Sequence, residues 1–130
     1  MALTLTRTLL QPVTAQTINS AATYTSAEQD IGDATLADQV WCYLEIAGFA
    51  AAPTGNIQVT ISPVHTTAGT DYTSQGANYV FTVDADALYV FAVPVTSLPR
   101  FFQVLVKNNT TQHTDASAVD LRIELVKVTA

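Results

Sequence analysis

The chain has 130 residues, which suffices for one hydrophobic core, and we expect residues 1–130 to form a single domain. Only 12% of the residues are charged, the net charge is −6, and the five Lys and Arg form no basic cluster. The sequence therefore lacks the positive footprint of direct nucleic-acid binding, and no segment reaches the roughly 20 apolar residues of a membrane-spanning helix.

Where an average domain has charged residues, this chain has Thr, Ser, Gln and Asn. Desolvating hydroxyls and amides costs less than desolvating ions, so this surface favours an oligomer or a docked subunit over a free monomer. The first ten residues lack a basic region, and threonine interrupts their apolar run. We therefore expect no signal peptide and synthesis in a cytoplasm.

The N-terminal stretch alternates with the period of a β-strand. Gln11-Pro12 is expected to end this strand. Two interpretations stay open for residues 1–14: an edge strand of the chain's own sheet, or an extended arm that adds to a neighbour's sheet. The two alternating sets are Leu3, Leu5, Arg7 and Leu9 against Thr4, Thr6, Thr8 and Leu10.

The middle of the chain predicts four more strands separated by turns. Ala15–Thr25 is polar and β-prone, and Ser26–Asp38 predicts a short strand and loops with at most one helical turn. Pro63 predicts an edge or a strand end, and the continuous apolar run of Leu88–Val95 predicts burial on both faces. The four predicted strands are Gln39–Gly48, Asn56–Val64, Tyr79–Val83 and Leu88–Val95.

Two C-terminal stretches complete the pattern. Leu98–Asn109 predicts a central strand that is covered on most of both faces and ends at Asn108-Asn109. Val119–Val128 alternates most regularly, and its outward face carries charges, which indicates a solvated or interfacial surface. With about eight strands and no sustained helical period, we predict an all-β fold, an antiparallel β-sandwich or jelly roll with little or no helix.

The sequence offers little catalytic chemistry. Paired carboxylates occur at Asp30/Asp33, Asp84/Asp86 and Asp120/Glu124, but the first two pairs fall at turns, where Asp caps the backbone, and the third lies on a strand. Calcium binding by Asp71, Asp84 and Asp86 lacks the expected ligand spacing. We therefore predict no enzyme activity, no cofactor and no metal.

Neither the histidines nor the single cysteine indicates a reactive site. His65 and His113 fall in predicted loops without further ligands at metal-binding spacing, and we interpret them as surface residues. Cys42 alternates with Val40, Leu44 and Ile46, which predicts a buried, inert thiol.

Aromatic residues leave one binding alternative open. They could form a platform for stacking sugars, although alternating aromatics are ordinary in β-sheets. Tyr72 stands apart because it lies in a polar loop, where an aromatic side chain is typical of an interface. The candidates for the platform are Trp41, Tyr43, Tyr72, Tyr79 and Tyr89.

The chain as a whole resembles the small β-sandwich or jelly-roll structural proteins of tailed bacteriophages, in particular capsid decoration (cement) proteins. The stretches that carry the resemblance are LTLTRTLLQP, TINS, SAEQDIGD, VWCYLEI, VPVTSLPRFFQVLVKNNTT and AVDLRIELVKV. It implies a non-enzymatic subunit, commonly a homotrimer, that sits on the outer capsid surface of a virion and bridges major capsid proteins. Tail or baseplate sandwiches share this style.

The resemblance and the composition together give the expected contacts. We expect contacts with partners or other subunits at Leu3, Leu5, Arg7, Leu9, Leu10 and Tyr72. We also expect deletion of Met1–Pro12 to weaken attachment more than folding. The alternative function is a carbohydrate-binding module of a phage tail or surface protein, in which Tyr72→Ala abolishes glycan binding.

Overall fold

A computed structural model describes residues 2–32, 37–65, 70–71, 77–96 and 98–129, without the side chains of residues 65, 70 and 71. These residues form an all-β, sandwich-like fold of two antiparallel sheets, which confirms the predicted fold class. No described helix is long and apolar enough to cross a membrane. The described strands are β1 (Thr4–Gln16), β2 (Thr23–Thr25), β3 (Gln29–Asp30), β4 (Gln39–Ile46), β5 (Gly55–His65), β6 (Thr70–Asp71), β7 (Ala77–Val83), β8 (Tyr89–Pro94), β9 (Phe101–Thr110) and β10 (Val119–Thr129).

The two sheets differ in size and in how their edges are made. The four-stranded sheet has the order β1-β10-β4-β8, so β1 and β8 are its edges. The six-stranded sheet has the order β2-β9-β5-β6, with β3 also paired to β9 and β7 to β5. The inward side chains of both sheets form one core, and each large apolar group buried there contributes about 1.5–3 kcal/mol. Fully buried members include Leu44, Ile46, Ile57, Val59, Phe102, Val104, Leu121 and Ile123.

Strand β1 belongs to the chain's own sheet, as the edge-strand interpretation predicted. It pairs antiparallel with β10 from Thr4 to Leu10. Gln11-Pro12 does not end the strand, contrary to expectation, because the register shifts between Leu10 and Val13 and the strand resumes. A bulge at an edge is where a strand accommodates a proline, which has no amide proton to donate.

Strand β9 holds the central position predicted for it, between β5 and the short strands β2 and β3. Two details differ. Only one face is fully buried, whereas the other is half-buried or exposed, because the described residues lay no further layer over this side of the sheet. The strand also continues through Asn108 to Thr110, and Asn108 is completely buried.

Two other predictions from apolar runs and prolines were wrong. Strand β8 is not buried on both faces: it is an edge strand with one outward face, and Val90 is 63% exposed. Pro63 is neither at an edge nor at a strand end, because β5 runs on to His65 and Pro63 pairs with Phe102 of β9. On its other side β5 pairs with β7 up to Ile61 and with β6 from Val64, so the proline lies in the gap between them.

The thiol of Cys42 is expected to be unreactive in the folded protein. The residue is 1% exposed, and burial raises the pKa of its thiol to about 12. Because the thiolate is the reactive form, we expect no labelling by a thiol-specific chromogenic reagent at pH 8 under native conditions, and one thiol per chain in denaturant. Rapid native labelling would contradict the packing of β4 against the core.

Candidate interaction face

The outward side chains of the four-stranded sheet form the surface that we call the outer face. It is defined by three cross-strand rows: Leu9, Glu124, Trp41 and Pro94; Arg7, Val126 and Gln39; and Leu5 with Val128. Towards the other end of the sheet it continues through Arg122, Tyr43 and Ala92 and ends at Glu45. Outward positions of a solvated sheet are usually polar, so the number of large apolar groups here indicates a contact surface.

The structure brings three of the predicted contact residues together on this face and separates others. Leu5 and Leu9 are each 56% exposed, and Arg7 lies between them. Leu3 is 71% exposed just before β1. Leu10 pairs with Ile123, faces inward and packs against the core, so it does not belong to this face. Tyr72 lies outside the described residues.

A shallow depression of about 410 Å³ lies near the β1 end of the outer face. Its apolar lining comes from β1, β4 and β10, and its polar lining includes Arg7, Asp38 and Glu124. A depression of this size can accommodate an aromatic side chain of another molecule. The apolar and aromatic residues that line it are Leu5, Trp41, Tyr43, Val126 and Val128.

Trp41 and Tyr43 are the aromatic residues of the outer face. Both are half-buried, and their rings stack at 6.5 Å between centroids with 22° between planes. Tyr79 and Tyr89 do not extend this pair, because both pack against the core on the inward side. The predicted aromatic platform is therefore reduced to two rings among the described residues, in a composition of Trp, Tyr, Arg and aliphatic groups that is typical of protein interfaces.

The charged groups of the outer face differ in whether they have partners. Arg122 and Glu45 form a half-exposed ion pair at 3.7 Å, worth at most about 1 kcal/mol. The carboxylate of Asp120 accepts the backbone N–H of Ala15, and that of Asp38 accepts the backbone N–H of Val128. Within the described part of the chain, Arg7 and Glu124 form no ion pair or hydrogen bond with other side chains, although both line the depression.

A second exposed apolar surface lies where β7 and β8 meet. We call it the valine corner and define it by Leu88 and Val90, which lie two positions apart on the outward side of the β8 edge and are 62% and 63% exposed. Val80 of β7, 60% exposed, projects from the outward side of the other sheet, because its neighbours Tyr79 and Phe81 pack against the core. Between the two edge strands, the rings of Phe81 and Phe91 stack at 4.5 Å. Sequence analysis missed the valine corner because the apolar run of Leu88–Val95 predicted burial on both faces.

Three residues considered as metal ligands, Asp84, Asp86 and His113, form hydrogen bonds within turns and loops. Asp86 accepts the N–H of Phe49, and Asp84 accepts the hydroxyl of Tyr89, which itself accepts two N–H groups of the same turn. Nδ1 of His113, on the surface as predicted, accepts the N–H of Ser20 at 2.9 Å. Among the described residues, no group of three His, Cys, Asp or Glu is arranged to hold a metal ion.

No protein-family model matches the chain, and no curated protein matches it either. Function is therefore inferred from the two exposed apolar surfaces and from the resemblance described above.

Proposed function

We propose that the chain is a non-enzymatic structural protein of a bacteriophage virion that decorates the outer capsid surface and stabilises it by bridging neighbouring major capsid proteins. The observation that carries this proposal is the presence of exposed apolar groups at both ends of the four-stranded sheet, on the outer face near β1 and at the valine corner on β8. One surface can hold a capsid protein while the other holds a further subunit, so that the assembly reaches two neighbours. Synthesis in the host cytoplasm fits the same proposal.

The separation of the two surfaces supports bridging. Leu5 pairs with Val128 at one end of β10, whereas Val90 lies in the row of Glu45 and Asp120 at the other end. The two rows are about eight residues apart along β10, at about 3.4 Å per residue, and β1 and β8 are three strand spacings of about 4.8 Å apart across the sheet. Leu5 and Val90 therefore lie roughly 30 Å apart. A single small partner would not cover both surfaces.

The surface chemistry fits attachment to a shell. Large exposed aliphatic groups release water when they are covered, and about 25 cal/mol is gained for each Å² of apolar surface buried. The proposal assigns the valine corner to the capsid protein, because its two aliphatic side chains lie at a sheet edge and the neighbouring carboxylate of Glu45 already has an ion-pair partner in Arg122.

Attachment can be tested with undecorated capsids of a tailed phage. We expect the protein to sediment with the capsids and to raise their melting temperature. Val90→Asp should weaken attachment at least tenfold, since it places a charge in an apolar contact. Thr25→Asp is the matched control: it adds the same charge at an exposed position of β2 in the other sheet and should bind like the wild type.

Two results would contradict the proposal in whole or in part. Failure to sediment with capsids of several tailed phages would reject the decoration role. Equal loss of attachment in Val90→Asp and Thr25→Asp would assign the effect to overall charge and remove the valine corner from the proposal. Melting curves of both variants check that each is folded.

A further inference from the structure

We infer that the outer face binds the outer face of a second copy of this chain around a two-fold axis. In this homodimer, Arg7 of each copy forms an ion pair with Glu124 of the other. The inference does not rest on the decoration role, since it concerns only what covers the outer face. It also differs from the trimer that the resemblance implies.

The positions of the two charges follow from the strand register. Arg7 pairs with Val126, and Glu124 pairs with Leu9, so the two residues lie on adjacent strands, two positions apart along them. Standard strand spacings put their Cα atoms roughly 8 Å apart. Arg7 is exposed and Glu124 is half-exposed, and neither has an ion-pair partner among the described residues of its own chain. One acid and one base that stand side by side without partners are complementary to the same pair rotated by 180°.

The axis that exchanges Arg7 with Glu124 also brings apolar groups together. Trp41 lies one strand beyond Glu124 in the same row, whereas Leu5 and Val128 lie one row beyond Arg7. A two-fold rotation that places Arg7 of one copy over Glu124 of the other therefore also places Trp41 of one copy over Leu5 and Val128 of its partner. The same contact recurs on the other side of the axis, as an isologous interface requires.

The depression lies at the place where these contacts would form. It is bounded by both charges and by Leu5, Trp41 and Val128, so it spans the area that the rotation brings together. An indole ring entering it from the partner would be surrounded by aliphatic side chains, with ion pairs at its rim. Tryptophan and arginine that become buried near the centre of an interface usually supply much of its binding energy.

Charge also decides between this arrangement and pairing of two β1 edges. Strand β1 has a free edge, but Arg7 is its only charged residue, and residues 4–16 contain no acid. Two β1 strands side by side would leave both arginines without a carboxylate in the added strand. Face-to-face packing supplies one through Glu124, and so the second copy is expected to lie over the sheet.

Charge reversal tests the pairing directly. In sedimentation velocity we expect a dimer for the wild type, at least tenfold weaker association for Arg7→Glu and for Glu124→Arg, and restored association for the double variant. Lys107→Glu is the matched control, because it makes the same charge change at an exposed position of β9 in the other sheet. It should remain dimeric.

The single tryptophan provides a second readout. Trp41 is the only tryptophan of the chain, so its emission reports on this face alone. We expect the emission maximum to shift to shorter wavelength as the wild-type concentration rises through the dissociation constant, with no such shift in Arg7→Glu. Thermal melting of every variant separates lost association from lost folding.

Each other outcome overturns the inference. Any of three results would reject the pairing. The first is a wild type that stays monomeric at 100 µM (about 10⁻⁴ M, a weak interface), and the second is a trimer. The third is a double variant that fails to associate while both single variants are folded. A dimer that ignores capsids would reject the decoration role only, and a monomer that binds capsids would reject the dimer only.

Discussion

Deletion of residues 1–12 is expected to destabilise the fold itself, instead of releasing the protein from a partner as the sequence suggested. The deletion removes the strand that pairs with β10 from Thr4 to Leu10, together with the buried ring of Pro12. It leaves the edge of β10 beside Ile123 open to water. We expect a loss of at least about 3 kcal/mol in the free energy of unfolding, the scale of one large core side chain. Urea unfolding followed by circular dichroism measures it.

Leu9 and Leu10 provide matched variants for the same question. Leu9 faces outward and is 56% exposed, whereas Leu10 faces inward against the core. Leu10→Thr should destabilise by about 1–2 kcal/mol, and Leu9→Thr should change stability by less than about 0.5 kcal/mol. A truncated chain that melts within about 2 °C of the full chain would show that residues 1–12 are a dispensable arm.

Asn108→Ala is expected to cost about 3 kcal/mol of stability, although it removes only an amide. The side chain is completely buried: its amide nitrogen donates to the carbonyl oxygens of Ile18 at 3.0 Å and Gln112 at 2.9 Å, and its oxygen accepts from the backbone and hydroxyl of Thr110. Alanine would remove all four hydrogen bonds and leave the buried N–H of Thr110 without its partner, whereas the carbonyl oxygens of Ile18 and Gln112 each keep one other donor. An unsatisfied buried group costs about 1–3 kcal/mol, and each further hydrogen bond lost adds about 1 kcal/mol or less. Chemical denaturation with a constant m-value measures the loss.

The adjacent residue is the natural control. Asn109 is exposed, and its amide donates only to the side chain of Asn56. Asn109→Ala should therefore stay within about 0.5 kcal/mol of the wild type. If the two variants were equally stable, the buried amide network would contribute nothing, and water would have to replace it in the variant.

Sequence alone identified the strands well where one face is buried and the other is not. The alternation of Val119, Leu121, Ile123 and Leu125 has one structural solution, because shifting the strand by one residue would turn its apolar set to water. Leu88–Val95 was misread because both of its faces are apolar for different reasons, one packed on the core and one facing solvent as part of the valine corner. Composition cannot separate a buried face from a contact face.

The candidate site was predicted only in part. Leu5, Arg7 and Leu9 were identified from a single strand, but their neighbours Trp41, Val126 and Val128 come from strands that are distant in sequence. Their proximity depends on the order β1-β10-β4, which nothing in local alternation specifies. Asn108 was assigned to a turn for the same reason: its partners at Ile18 lie 90 residues away.

The pairing of β1 with β10 also has a consequence for how the chain is made. Thr4 and Thr129 are neighbours in the sheet although 125 positions separate them in the chain. At a synthesis rate of about 5–20 residues per second, the first strand waits roughly 6–25 s for its partner. During this interval its leucines face the crowded interior of the cell, and non-local β pairing is slow even after release. Slower expression at low temperature, or a chaperone that holds the nascent N-terminus, should therefore raise the soluble yield.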